Sequence, residues 1–195
     1  MKRLLCLMMT IVLLMPCCVG FAATLVNGSY SAGSGDPLSG VKTFKFEHKY
    51  SGIGKGTCPV YTAPYEGAYR GANGKACVDT NHSLDIGGYS NNGWLLVRYE
   101  TNSGSNRVGW IPPKYIKGVK TAMSPHFSYI AQVAQSSIYV TDDNLSPYNP
   151  KSYFAQLQPG ETYYVIGRYN YYQYDLWYIE FFIGDQAARG FIPVS

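Results

Sequence analysis

Apolar positions along this chain recur in runs of four to eight residues, dominated by Tyr, Val, Ile, Thr and Phe and punctuated by Gly, Asn and Pro. Such runs are the pattern of short strands joined by tight turns, and no stretch carries the period of a long amphipathic helix. The clearest alternation lies at 43–50, with Phe44, Phe46, His48 and Tyr50 on one face and Lys45, Glu47 and Lys49 on the other. A period of two predicts one half-buried strand, expected to pack on or extend the strands that follow it. Residues 24–40, rich in Gly and Ser, read as a flexible leader.

From residue 57 the elements follow a distinct order. Val60, Tyr61 and Thr62 form a short strand closed by Pro64, and a loop at 65–73 carries Gly67 and Gly71. Strands are predicted at 75–80 and 84–86, the second ended by Gly87 and Gly88. Asn91, Asn92 and Gly93 turn the chain into a strong strand at 94–99, and a turn at 102–105 leads to Arg107, Val108, Gly109, Trp110 and Ile111. The Gly93-Trp94 strand, the glycine-centred turn and the Val108-Gly109-Trp110-Ile111 strand stand in the order of a bacterial SH3 domain, which residues 57–118 resemble. Pro112 and Tyr115 also resemble the Pro-x-x-Tyr end of eukaryotic SH3 domains.

A second, similar order follows a linker at 119–127. It has strands at 138–141 and 153–157, a Pro159-Gly160 turn, a strand at 162–166, a tyrosine-rich loop at 170–175, then strands at 177–180 and 189–193. The closing Pro-x-x-Tyr piece has no counterpart before Ser195, which leaves this groove expected to be incomplete. The resemblance implies an all-β protein of two tandem SH3-like small β-barrels packed together, one at 57–118 and one at 128–195. Residues 24–56 would form the leader and its extra strand at 43–50. Barrels of this size bury a core near the lower limit for independent folding, so a short linker favours a rigid pair.

Charge and targeting place this fold. Lys2 and Arg3 precede an apolar run at 4–15, and Pro16, Gly20, Ala22 and Ala23 supply the break and the small residues of a cleavable signal peptide over 1–23. The run is shorter than the ~20 residues that span a bilayer, so no stable membrane insertion is expected. Cys17 and Cys18 raise a lipid anchor, but Met15 and Pro16 stand where a lipoprotein signal has small residues. The expected protein is secreted or associated with the cell surface. Its signal carries two basic and no acidic residues, so the net charge of +4 falls by two on cleavage. That is too little for nucleic acid, which requires a concentrated basic face.

Candidate chemistry is aromatic rather than catalytic. By the SH3 resemblance, Tyr61, Tyr65, Trp94, Pro112 and Tyr115 would line a groove of the first barrel, and Tyr139, Tyr148, Tyr153 and Trp177 are the equivalents in the second. Such side chains contribute large apolar area at low entropy cost and can grip an extended peptide; alternatively, Tyr61 and Trp94 only cover a core. Tyr169, Tyr171, Tyr172 and Tyr174 form either an exposed stacking cluster or buried packing. Cys58 and Cys77 remain after export as a permitted disulfide or as two separate thiols. Neither stands where a nucleophile is activated, at a helix N-terminus, and His48, His82 and His126 show no ligand spacing for a metal. Asp142, Asp143 and Asn144 lack the alternation and glycine of a calcium loop. No enzyme activity and no cofactor are expected. The family implies non-catalytic binding of cell-wall peptide or peptidoglycan, with an extracellular protein carrying proline-rich or disordered segments as the alternative partner.

Overall fold

The structure, a computed structural model, describes residues 37–51, 57–79, 83–117, 126–142, 153–171 and 173–194. The expected signal peptide at 1–23, most of the expected leader and most of the expected linker at 119–127 lie outside these residues, as do His82, Asp143, Asn144, Tyr148 and Tyr172. Among the described residues the protein is all-β, with no helix longer than one turn and none able to cross a membrane.

A four-stranded antiparallel sheet runs in the order β2 (His48–Ser51), β5 (Ser83–Tyr89), β6 (Leu95–Glu100), β7 (Asn106–Ile111). Beside it β3 (Cys58–Pro59) pairs with β4 (Cys77–Val78). Tyr61 joins the two sheets by exchanging both backbone hydrogen bonds with Trp110, at 2.9 and 2.7 Å. A larger sheet holds β8 (Ile130–Val133), β11 (Thr162–Tyr171), β12 (Tyr174–Ile183), β13 (Gln186–Pro193), β9 (Ile138–Thr141) and β10 (Tyr153–Leu157) in that order. Here one pair, Phe191 with Thr141, joins β13 to β9. Among the described residues both series are open at their ends, and no sheet closes into a barrel.

One residue in each series lets this joining pair form. A Cβ at Gly109 would stand 2.3 Å from Val60 Cγ1 and 2.9 Å from the Tyr61 carbonyl oxygen. At Gly190 it would stand 2.5 Å from Val140 Cγ1 and 2.8 Å from the Thr141 carbonyl oxygen. The crossing strand lies where any larger residue would put its side chain, so glycine is demanded by close approach.

The alternation at 43–50 resolves into two strands rather than one. β1 (Thr43–Phe44) runs parallel to β11 in the larger sheet, whereas β2 runs antiparallel to β5 in the smaller one. Phe44 packs over Gly167 of β11 and Phe46 over Gly87 of β5, so each ring occupies the hollow left by a missing side chain. A period of two reveals which side chains share a face and says nothing of which sheet receives them.

Three apolar clusters follow from this arrangement. Leu84, Ile86, Leu95, Val97 and Ile111 fill the core of the first series. Val140, Val165, Trp177, Ile179 and Phe181 fill that of the second. Phe44, Trp94, Leu96, Trp110, Tyr178 and Phe191 belong to a third cluster that draws on both series and on the leader strand. Inside it Trp110 Nε1 donates to Tyr178 Oη at 3.0 Å, a fully buried bond that gives each polar atom a partner. Polar contacts extend the seam: Val108 N–H donates to the Asp142 carbonyl, Tyr69 N–H to that of Ala187, and Arg98 Nη1 to Tyr169 Oη.

Several elements depart from the sequence reading. Gly87 and Gly88 do not end β5; they carry a bulge, Gly88 at φ 137°, and the strand continues to Tyr89. The tyrosine-rich loop is mostly strand, since β11 continues through Tyr171 and β12 begins at Tyr174. Tyr169 is buried, stacked on Phe44 at 5.5 Å, so packing rather than display accounts for it. Cys58 and Cys77 are free thiols. The register sets Cys58 opposite Val78, so the two cysteines fall on opposite faces of the ribbon: Cys58 is buried and Cys77 exposed.

Candidate functional site

Two loops and a turn of the first series build a surface hollow of about 310 Å³ lined by Tyr65, Glu66, Trp94, Pro112, Pro113 and Lys114. The Trp94 wall is set by a tight turn. Ser90 N–H donates to the Trp94 carbonyl at 2.9 Å, Ser90 Oγ accepts from Trp94 N–H at 3.0 Å, and Gly93 takes the φ of +81° that the turn requires. The Tyr65 wall belongs to a loop closed at its base by Thr62, whose backbone N–H and hydroxyl both donate to the Tyr69 carbonyl. The third wall is a 3₁₀ turn, Pro113–Tyr115, entered from the extended backbone of Pro112.

The rim is charged while the walls are apolar. Lys114 Nζ and Glu66 Oε1 meet at 2.7 Å across the mouth, with both side chains about 60% exposed (60% and 61%). The hydrogen bond that Lys114 donates to Glu66 holds its ammonium pKa above the ordinary value. An exposed pair of this kind contributes little to stability, so a ligand can take over either charge at low cost.

Of the residues expected in this groove, the structure brings Tyr65, Trp94 and Pro112 together. Tyr61 stands behind them, edge-on to Trp94 at 5.3 Å. Tyr115 turns toward the core of the first series, with Lys114 Nζ 5.5 Å from its ring centroid. Trp94 itself is only 5% exposed, a wall with one face on the hollow and the rest in the shared core. Tyr65 has a second role, since its hydroxyl accepts from Ala187 N–H of the other series at 2.6 Å. Burial raises its phenol pKa, which keeps the hydroxyl protonated. Glu66, Pro113 and Lys114 were not singled out from the sequence. Pro113 and Lys114 were legible as part of the Pro112–Tyr115 piece, but a Glu66–Lys114 contact across such a separation leaves no local mark.

The expected residues of the second series do not assemble in the same way. Tyr139 and Tyr153 stack at 4.9 Å with 13° between their planes, and Tyr139 is 50% exposed. Trp177 is buried in the core of its own series, under the Arg168 guanidinium at 5.3 Å. Register gives the reason. Leu96 pairs with Trp110 and Tyr178 with Phe191, so the position that corresponds to Trp94 is Leu176, and Trp177 corresponds to Leu95. A shift of one residue moves a strand side chain to the other face. Tyr148 lies outside the described residues.

A second hollow, about 520 Å³, opens at the seam between the two series. Pro64, Ser90, Asn91 and Asn92 come from the first, and Phe127, Tyr129 and Arg189 from the second; Trp110 forms its floor and His126 stands on its rim. The Arg189 side chain is 7% exposed, with Nε donating to Glu180 Oε2 at 2.7 Å and Nη2 to Tyr129 Oη at 2.9 Å. Its guanidinium lies 5.3 Å from the Trp110 ring and 5.6 Å from that of Phe127. Asp142 faces inward too, 3.6 Å from Arg107, and no cluster of three metal-ligating side chains occurs among the described residues.

The two cysteines differ in placement, Cys58 buried and Cys77 exposed. Burial pushes the Cys58 thiol up to about 12, with the neighbouring Cys77 adding to the shift, so at neutral pH it carries no thiolate. Compared with known proteins, the chain matches no family model, no curated protein and no solved structure.

Proposed function

We propose that this chain is an exported, non-catalytic binding protein made of two tandem SH3-like modules, and that the hollow around Tyr65 and Trp94 holds a peptide of the bacterial cell wall. The observation that carries the reading is the combination in one hollow of aromatic and proline walls with a paired ammonium and carboxylate at the mouth. An extended peptide presents both apolar stems and charges of either sign, so its carboxylates fit Lys114 and its amines fit Glu66. The tandem reading is supported by one strand order recurring in both series, each joined by one residue pair beside a glycine. The non-catalytic reading is supported by the buried, protonated state of Cys58.

The experiment is sedimentation of the protein, cleaved after its signal, with insoluble peptidoglycan. Tyr65→Ala combined with Pro113→Ala is the variant, its fold checked by near-ultraviolet circular dichroism. Wild type should pellet with the wall and the variant should stay largely in solution. Wild type remaining in the supernatant at low and high salt would end the cell-wall reading and favour a protein partner with proline-rich segments. Equal pelleting of both proteins would move the site away from this hollow.

A further inference from the structure

We infer that the seam hollow is a second binding site, contributed jointly by both series, and that it takes an uncharged N-acetylated sugar unit. The inference rests on the reading of the chain as a cell-wall binder and adds the glycan strand to the peptide. The volume of about 520 Å³ falls among those of small-molecule sites, roughly 300–1,000 Å³.

The lining narrows the ligand class. Arg189 is the one guanidinium facing this hollow, and Glu180 already balances its charge. A full anion would therefore gain no net attraction there, whereas neutral acceptor oxygens would still find donors. Of the five N–H groups on a guanidinium, Glu180 and Tyr129 use two, leaving three. Among the described residues the rest of the polar lining holds no carboxylate and no lysine; Ser90 and Asn92 bond to each other, to Trp94 and to Pro64, and the exposed Asn91 amide pairs donor and acceptor with an acetamido group. Phe127 and Tyr129 offer ring surface for the C–H face of a pyranose, and Tyr129 is 53% exposed. A sugar with an acetamido substituent satisfies apolar, acceptor and amide requirements together.

Continuity with the peptide hollow gives the pairing its sense. Asn92 Nδ2 donates to the Pro64 carbonyl at 2.9 Å, and both residues line the seam hollow. Tyr65 follows Pro64 and Trp94 lies two residues past Asn92, and both line the peptide hollow. One ridge thus separates the two hollows, and a branched ligand with a peptide on a sugar can enter both. Because Arg189 and Tyr129 come from the second series and Asn91 from the first, the site exists only when the two series are packed together.

The test is titration of the full exported chain with a soluble N-acetylglucosamine trisaccharide, read by tryptophan fluorescence. Trp110 beneath Arg189 is the reporter. Asn91→Ala and Tyr129→Ala both alter exposed residues, and each should weaken binding by tenfold or more. Phe182→Ala, at a 57% exposed position outside both hollows, should leave binding within twofold. Absence of a saturable change with wild type, while the protein still pellets with peptidoglycan, would overturn the sugar site and leave the peptide reading standing. Absence of both would remove the cell-wall reading as well. Saturable binding unaffected by Asn91→Ala and Tyr129→Ala would overturn the assignment to this hollow.

Discussion

The two series of strands share one order and one joining device yet display different surfaces. In the first, Tyr61 meets Trp110 beside Gly109; in the second, Thr141 meets Phe191 beside Gly190. The frame is therefore held by backbone geometry that a single glycine permits, and the side chains around it are free to differ. Where the first series places Trp94 beside an accessible hollow, the second places Leu176 in the shared core. Where the second displays on β9 and β10 a stack of Tyr139 on Tyr153, the first has Pro59 at the position of Tyr139. Recognition chemistry in this protein is set by which face a residue reaches, and strand pairing decides that face.

The severest test of this equivalence is to fill both glycines. Gly109→Ala and Gly190→Ala each drive a Cβ into a valine methyl and a backbone carbonyl, and the carbonyl has no rotamer to escape by. Overpacking of this kind costs about 1–3 kcal/mol or more, and these contacts place both variants at or above the upper end. Gly190→Ala should be the worse, because a third atom, Phe154 Cε1, lies 3.0 Å away. Urea unfolding monitored by circular dichroism measures both. Tolerance of alanine at one site alone would show that only the other series is joined through close approach.

A smaller effect is expected where the two series meet. Tyr178→Phe would leave Trp110 Nε1 buried without its acceptor, and Trp110→Phe would strand the Tyr178 hydroxyl. An orphaned buried polar group costs about 1–3 kcal/mol, so each single variant should lose that much, with Trp110→Phe losing more through the volume removed. The double variant removes both partners and should lose less than the sum of the two. A double-mutant cycle measures the difference. Strict additivity would mean that the bond does not couple the series.

These variants also mark how far the sequence could be read. Strands at 94–99, 107–111 and 177–180 were legible because β-branched and aromatic residues alternate between glycine-bearing turns there. The Tyr65, Trp94 and Pro112 walls were legible through their order along the chain. Trp177 was misassigned as the partner of Trp94 because composition locates a tryptophan in a strand but not its register. Arg189 and Glu180 left no trace, since they face each other across β12 and β13 and neither belongs to a motif. Phe44 and Phe46 showed their shared face, and their division between two sheets depended on contacts distant in sequence.

The gentlest comparison concerns two ion pairs on the outer hairpins. Arg98 binds Asp85 with side chains 14% and 25% exposed, and Arg168 binds Asp175 with side chains 38% and 37% exposed. The more exposed pair is better screened, so Asp175→Asn should cost under about 1 kcal/mol at neutral pH, and Asp85→Asn should cost more. Asp175 also has a defined pH signature. The hydrogen bond from Arg168 holds its carboxyl pKa below the ordinary value, against the opposing effect of burial. A carboxylate depressed in the folded state stabilises above its unfolded pKa, near 3.9, and that contribution fades as pH falls through the folded value. Wild type should therefore exceed Asp175→Asn in stability at pH 6, and the gap should close below pH 4. Urea midpoints for the two proteins across this range would show it. A gap that stays constant into acid would assign the stabilisation to the shape of the side chain rather than to its charge.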